Sequence, residues 1–135
     1  MAKFLLQDAK VTINGTNLSN NIKSVELSLS VDAQVVTAFG DGWNSRIAGL
    51  KDGSVKLDFF QDMGAGSVEA VLYPLLGTLA SVVVSATSGT ASATNPTYTF
   101  LALVTEHMPV AGAVGDVATL SVTWPTSGTV VKAVA

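Results

Sequence analysis

The single histidine is the first residue to consider for catalysis, because a serine–histidine–carboxylate arrangement depends on it. His107 directly follows Glu106 at the end of a strand-like segment of the 135-residue chain. Adjacent residues of a strand point to opposite faces of a sheet, so this pair does not converge on one substrate. We interpret His107 as a surface or strand-edge histidine.

A pair of carboxylates is the second possible source of acid–base chemistry. Asp58 and Asp62 are predicted to lie on one face of the same strand. Four strand residues span about 13 Å, which is too far for two groups that act on one bond. We therefore interpret both aspartates as solvated surface residues.

Metal and phosphate sites find no support in the sequence. The chain has no cysteine, and the segment DGWNSRIAGLKDG lacks the alternating oxygen ligands and final glutamate of a calcium loop. The glycine-rich segments GDG and GAG lack the Lys-Ser/Thr pair of a phosphate-binding loop. The sequence thus predicts that the protein is not an enzyme, with no catalytic residue, no bound metal and no cofactor.

Charge and hydropathy point to an assembly. The net charge is −3, from 7 basic and 10 acidic residues, which disfavours binding to nucleic acid phosphates. The first apolar run is too short for a signal peptide, and no run reaches the roughly 20 residues of a membrane helix. Only 13% of the residues are charged, against roughly 25% in typical soluble domains. Serine and threonine replace part of this charge, and burial of surface against other copies explains the rest.

Period-two alternation predicts that most elements are β-strands. The segment KVTINGTNL contains Asn14-Gly15, a strong signal for a tight hairpin turn. Further strands are predicted in IKSVELSLSVD, GSVKLDFFQD and VATLSVTW, each with one apolar and one polar face. The runs 80–86 and 97–106 are predicted to pair as a hairpin. Residues 100–104 are apolar on both faces, which places that strand at the centre of a sheet or at an interface.

One helix is predicted in the segment GSVEAVLYPLLG. Ser67 stands at the N-cap position, and the apolar residues after it follow helical spacing. Pro74 is expected to kink or shorten the helix, and Gly77 to end it. Together these elements predict a mainly β protein: an antiparallel β-sandwich or barrel with one packed α-helix. Residues 1–135 form a single domain in this prediction, with a long loop at about 38–52 and a C-terminal arm or short strand at about 126–135.

The loop sequence FGDGWNSRIAG places large apolar side chains among glycines. Surface loops are usually polar, so Phe39, Trp43 and Ile47 need a partner, as does Phe60 on an outward strand face. Either the loop folds back over the core of its own domain, or these side chains form a contact with another copy of the chain. The low overall charge favours the second interpretation.

The order of the elements resembles the tail tube proteins of long-tailed bacteriophages. VTAFGDGWNSRIAGLKDGSVKLDFFQD is similar to that family's strand, long loop and return strand. The helix SVEAVLYPLLG follows as it does there, and GDVATLSVTWPTSGTVVKA resembles the closing strand. The resemblance covers most of the chain.

The resemblance implies a virion protein of the phage tail, assembled in the bacterial cytoplasm. Such subunits form hexameric rings that stack into a tube, and DNA passes through the tube during ejection without specific binding. The implied partners are other copies of the chain, the tape measure protein and the tail terminator, with no membrane. The family's long loop reaches a neighbouring subunit or ring, which adds Arg46 to the predicted interface of Phe39, Trp43, Ile47 and Phe60.

A conduit for DNA should carry few cations on its wall, because lysine and arginine would bind the phosphates. We therefore predict that one polar strand face lines the bore. The candidate residues for this face are Glu26, Ser28, Ser30, Asp58 and Thr119.

Three other functions stay open at the level of the sequence. A capsid decoration or head–tail joining protein would form trimers or a single ring and would not stack. A carbohydrate-binding adhesive module would need Trp43, Trp124 and Tyr98 in one exposed stacking platform. An enzyme would need an assembled site, which the sequence does not offer.

Overall fold

The computed structural model describes residues 6–134, and its main elements are β-strands. The strands are β1 (Lys10–Ile13), β2 (Thr16–Asn17), β3 (Ile22–Val35), β4 (Arg46–Phe60), β5 (Leu79–Ser85), β6 (Thr97–Leu103) and β7 (Thr119–Ala133). They form an antiparallel sheet of order β2-β1-β5-β6-β7-β4-β3. The α-helix of the described residues, α1 (Val68–Leu72), follows β4. The predicted fold class, antiparallel β with one packed helix, is confirmed.

The local signals explain most of these elements. Asn14 and Gly15 both have positive φ (51° and 89°), as the tight turn between β1 and β2 requires. Ser67 precedes α1, although its side chain makes no capping hydrogen bond. At Tyr73–Leu75 the helix tightens into a 3₁₀ turn around Pro74, and Gly77 ends it with φ of 84°. The predicted shortening by proline therefore occurs.

Strand β7 joins the two halves of the sheet. Its residues 119–125 pair with β4, and its residues 126–133 pair with β6. The register shifts between Thr99 and Leu101, opposite Gly128, whose φ of 83° permits the bulge. Residues 126–133, predicted as part of a C-terminal arm, therefore belong to the sheet. β6 is consequently a central strand, one of the two positions predicted for it.

The core lies between the two halves of the curled sheet and is closed by α1. The alternating inward residues of β4 and β7 predicted from the sequence are all buried. The largest fully buried side chains are Trp124, Phe59, Ile13, Leu57, Leu72 and Leu120.

The β3–β4 hairpin extends well beyond this core. Val25 and Leu27 still pack against it, but every residue from 28 to 52 is exposed. We call residues 28–52 the hairpin arm. The predicted loop at 38–52 is shorter in the structure, because Arg46 to Asp52 pair with β3 as part of β4. The connection itself spans residues 36–45, which we call the arm tip.

Candidate assembly interface and polar sheet face

The hairpin arm carries an apolar face that residues 6–134 of its own chain leave exposed. Leu29, Val31 and Val35 continue the inward face of β3 beyond the core and are 57%, 47% and 61% exposed. A two-stranded hairpin is marginally stable in water at best, because it buries too little apolar surface. Exposed apolar surface of this extent is typical of a contact surface.

The arm tip is held in shape by its own hydrogen bonds. The Val36 amide donates to the Ser45 carbonyl at 2.8 Å, and the Ser45 amide donates to the Thr37 hydroxyl at 2.9 Å. The Ala38 amide donates to the Asp41 carboxylate at 2.9 Å. An ordered tip presents its side chains with less loss of conformational entropy on binding.

The two aromatic side chains of the tip point away from the protein. Trp43 is 89% exposed, and Phe39 is fully exposed. The interpretation in which this loop folds back over the core of its own domain is therefore wrong. Among residues 6–134, neither ring belongs to the apolar core cluster.

The remaining predicted interface residues do not all lie together. Ile47 is 58% exposed, and it follows Arg46, also exposed, at the start of β4 beside the tip. Phe60 is 41% exposed but ends β4, about 45 Å away at roughly 3.3 Å per residue. The ammonium of Lys23 lies 5.6 Å from the centre of the Phe60 ring. The structure thus joins four of the five residues and separates Phe60.

A polar face covers the outer side of β3, β4 and the first half of β7. Glu26 pairs with Lys56, which pairs in turn with Thr123, and these directly paired residues share one side of the sheet. Their neighbours in sequence on β4, Val55 and Leu57, point into the core. The polar face consists of Glu26, Ser28, Ser30, Asp52, Ser54, Lys56, Asp58, Thr119, Ser121 and Thr123. All five residues predicted for the bore lie on it.

The polar face is slightly acidic. The face carries three carboxylates, those of Glu26, Asp52 and Asp58, and one lysine, Lys56. The ammonium of Lys23 lies near the end of the face, over the Phe60 ring. The hydroxyl of Ser28 donates to the Glu26 carboxylate at 3.2 Å. The face therefore offers hydroxyls and negative charge with little to hold a phosphate.

A second exposed apolar segment lies in the connection from β6 to β7, residues 104–118. Val110, Val114 and Val117 are 87%, 105% and 70% exposed. We call residues 104–118 the β6–β7 loop. Sequence reasoning missed it as a surface, although three valines among the glycines of MPVAGAVGDVA are the same signal that marked the arm tip.

Within residues 6–134, His107 makes no hydrogen bond to a serine or a carboxylate, as a serine–histidine–carboxylate arrangement would require. Glu106 is engaged: its carboxylate accepts from the Thr123 amide at 2.6 Å, and its carbonyl accepts from the Trp124 indole at 3.1 Å. Both ring nitrogens of His107 are buried without a hydrogen-bond partner among the described residues, and this burial lowers the pKa of His107, against an opposing effect of Glu69. His107 is thus packed against the helix, with the Tyr73 ring 6.4 Å away, and is not the surface histidine that the sequence predicted.

The prediction that Asp58 and Asp62 share one strand face is wrong. β4 ends at Phe60, so Asp62 does not share a strand face with Asp58. The Asp62 carboxylate accepts from the Gly64 amide at 2.8 Å, and this bond, with one to Ser67, lowers the pKa of Asp62. Within residues 6–134 no three His, Asp or Glu side chains cluster as a metal site would require. Over the same residues, no helix has the length and apolar character of a membrane span.

The three aromatic residues of the carbohydrate-binding alternative do not form a platform. Trp124 is fully buried in the core, whereas Trp43 projects from the arm tip. Tyr98 lies on β6, in the other half of the sheet. The structure therefore removes the observation on which that alternative depended.

No protein-family model matches the chain, and no curated protein matches it, but its fold is similar to solved structures. A chain of the "Virion of native gene transfer agent (GTA) particle" superposes with a TM-score of 0.68 at 11% identity, over 83% of this chain and 84% of that one. A chain of the "Tail of empty GTA particle", with C6 symmetry, gives 0.61 at 14% identity over 82% and 81%. A chain of the six-fold symmetrised anti-feeding prophage (AFP) baseplate gives 0.52 at 13% identity over 98% and 97%. The chain thus has a fold found in tail and baseplate particles.

Proposed function

We propose that this chain is a structural subunit of a phage-type tail, and that its copies form stacked rings that make up the tail tube. The observation that carries the proposal is the hairpin arm, in which every residue from 28 to 52 is exposed. A covered arm is stable, whereas a free one exposes leucine, valine and tryptophan to water. Identical copies are the simplest partners, because each brings its own arm.

We infer six subunits in a ring from the symmetry of the structural neighbours. Two of the similar chains come from particles described with C6 or six-fold symmetry. A ring closed by head-to-tail contacts uses two different surfaces on each subunit. The outer side of β5 and β6 supplies a second apolar surface outside the arm, with Leu79, Leu101 and Leu103 at 49%, 43% and 37% exposed.

We propose that the polar face of β3, β4 and β7 lines the bore, and that DNA slides past it during ejection. Three of its strand residues carry a carboxylate and one is a lysine, and the other side chains are hydroxyls of serine and threonine. A phosphate backbone gains little from such a wall, because counterion release requires lysine or arginine. A capping tail terminator and a tape measure protein within the bore complete the proposed set of partners, in a virion assembled in the bacterial cytoplasm.

A scaffolding role agrees with the absence of an assembled catalytic site in residues 6–134. The Glu106 carboxylate accepts from the Thr123 amide of β7, and the Asp62 carboxylate accepts from the Gly64 amide in the turn before α1. Among the described residues, the ring nitrogens of His107 have no hydrogen-bond partner. We therefore propose a purely structural function without a cofactor.

Electron microscopy of the purified protein over a range of concentrations tests the proposal. We expect long hollow polymers, and we expect Trp43→Ala to abolish or shorten them while its circular dichroism stays that of the folded chain. Thr90→Ala, at an exposed position of the 86–96 loop, is the control and should polymerise normally. Single rings or trimers that never stack would instead assign the chain to head–tail joining or capsid decoration. A monomer that stays dispersed at high concentration would reject the assembly itself.

A further inference from the structure

We propose that the β6–β7 loop of one copy is the surface that receives the arm tip of the next copy along the tube. This inference rests on the proposed function, and it names the contact by which one ring would stack on the next. Four features of the described residues support it: exposure, anchoring, position and charge.

The β6–β7 loop presents an apolar surface that its own chain leaves uncovered. Val114 is fully exposed, and Val110 and Val117 are nearly so. The arm tip has the matching property in Trp43 and Phe39. Aromatic residues such as tryptophan and phenylalanine are enriched at the centre of protein interfaces, and the exposed valines offer an apolar surface for them to pack against.

The loop is anchored at both ends and is not a loose connection. The side-chain amide of Gln61 donates to the Pro109 carbonyl at 2.8 Å, and the backbone amide of Gln61 donates to the Ala118 carbonyl at 2.9 Å. Within the loop the Asp116 amide donates to the Ala113 carbonyl at 3.0 Å. The valines are thus held outward in a preformed surface, as the aromatic rings are at the arm tip.

The two surfaces lie at opposite ends of the same strand. The arm tip precedes Arg46, the first residue of β4, and Gln61 follows Phe60, the last. About 45 Å of strand therefore separates them, which excludes contact within one copy. A contact between opposite ends of identical copies is heterologous, and it stacks copies along the strand direction when its rotation does not close a ring.

The charges at the two ends are complementary. Arg46 is exposed beside the arm tip, where the nearby Asp41 is occupied by the Ala38 amide. Asp116 is exposed in the β6–β7 loop, where Glu106 is occupied by the Thr123 amide. These carboxylates keep their charge, so the loop end carries Glu106 and Asp116 whereas the tip end carries Asp41 and Arg46. We expect the exposed Arg46 of one copy to pair with the exposed Asp116 of the next, which favours contact between unlike ends.

Two sets of variants test the proposal, each checked for folding by circular dichroism. Val114→Asp should raise the concentration needed for polymerisation about tenfold or more, because it places a charge in the centre of the contact. Arg46→Glu and Asp116→Arg should each weaken polymerisation, and the double variant should restore it. Arg46→Glu combined with Asp32→Arg is the control and should remain impaired, since Asp32 lies on the arm itself.

The outcomes separate this inference from the proposed function. Polymers of Val114→Asp at the wild-type concentration would overturn the role of the β6–β7 loop while leaving the tube intact. A defect in Val114→Asp without rescue by the charge exchange would overturn the pairing of this loop with the arm tip. A wild-type chain that forms no polymer would refute the proposed function first.

Discussion

The hydroxyl of Thr126 donates a hydrogen bond to the backbone carbonyl of Gly53 over 3.2 Å, at the point where β7 leaves β4. From Ser54 to Phe59, β4 pairs with β3 on one side and with β7 on the other. From Gly53 back to Arg46, the described pairing of β4 is with β3 alone, and the hairpin arm begins at Asp52. This bond therefore marks the boundary between the packed body of the subunit and the part that needs a neighbour.

We predict that Gly53→Ala destabilises the folded chain by about 1–3 kcal/mol, as overpacking does. A β-carbon at this position would lie 2.9 Å from Leu29 Cδ2, 3.1 Å from the Ser28 carbonyl oxygen and 3.2 Å from the Thr126 hydroxyl. The leucine can move, but the backbone oxygen cannot without disturbing the β3–β4 pairing. Gly42→Ala is the matched control, because its β-carbon would meet no atom within 4 Å and its φ is not positive. Urea unfolding of both variants measures the difference, and equal midpoints would contradict the prediction.

The fold was largely predictable because the strands carry their own pattern. Val55, Leu57 and Phe59 alternate with Lys56 and Asp58, so the buried face of β4 follows from period two alone. The same alternation placed the polar face correctly. In contrast, alternation continues through Leu29 and Val31 although the core ends at Leu27, since sequence periodicity does not show where a partner strand leaves.

The errors have the same origin in tertiary structure. Arg46 to Asp52 were assigned to the loop from the glycines of this segment and from the resemblance, yet pairing with β3 holds them in a strand. Residues 126–133 were predicted as an arm or a short strand, and they form the second half of β7, where a bulge near Gly128 keeps them in the sheet. His107 was placed on the surface because its contact with the helix spans more than 30 residues of sequence.

We predict that the two tryptophans respond in opposite ways to the same substitution. Trp124→Ala should lower the free energy of unfolding by about 3–5 kcal/mol, because this ring is fully buried and its indole donates to the Glu106 carbonyl. Trp43→Ala should change it by less than about 0.5 kcal/mol in the monomer, since the ring is 89% exposed. Denaturant unfolding below the concentration of assembly gives both values. A large loss of monomer stability in Trp43→Ala would place the arm tip in its own core and contradict the interface.

We predict that lysine on the polar face converts the wall into a DNA-binding surface. Ser28→Lys adds a second lysine to the polar face, which already carries Lys56. Polymers of this variant should therefore retain short duplex DNA when they are sedimented. The retention should fall steeply as salt rises, because it depends on counterion release. Ser127→Lys is the control, since Ser127 pairs with Leu101 on the outer side of the other half of the sheet. Equal retention by both variants would show that the polar face does not line the bore.

We predict a loss of monomer stability with falling pH that originates at His107. Burial lowers the pKa of His107 below its ordinary value of 6.5, with Glu69 as the charged group that opposes the shift. The unfolded chain therefore binds the proton more readily than the folded chain, and stability falls as the pH drops below 6.5 until the folded pKa is reached. His107→Gln removes this titration, so its melting temperature should vary less between pH 7.5 and pH 5 than that of the wild type. Asp62 does not disturb the comparison, because its pKa is lowered from 3.8 and its contribution is lost only in stronger acid. If the melting temperatures of the two proteins changed equally with pH, His107 would not be the cause of the loss of stability in acid.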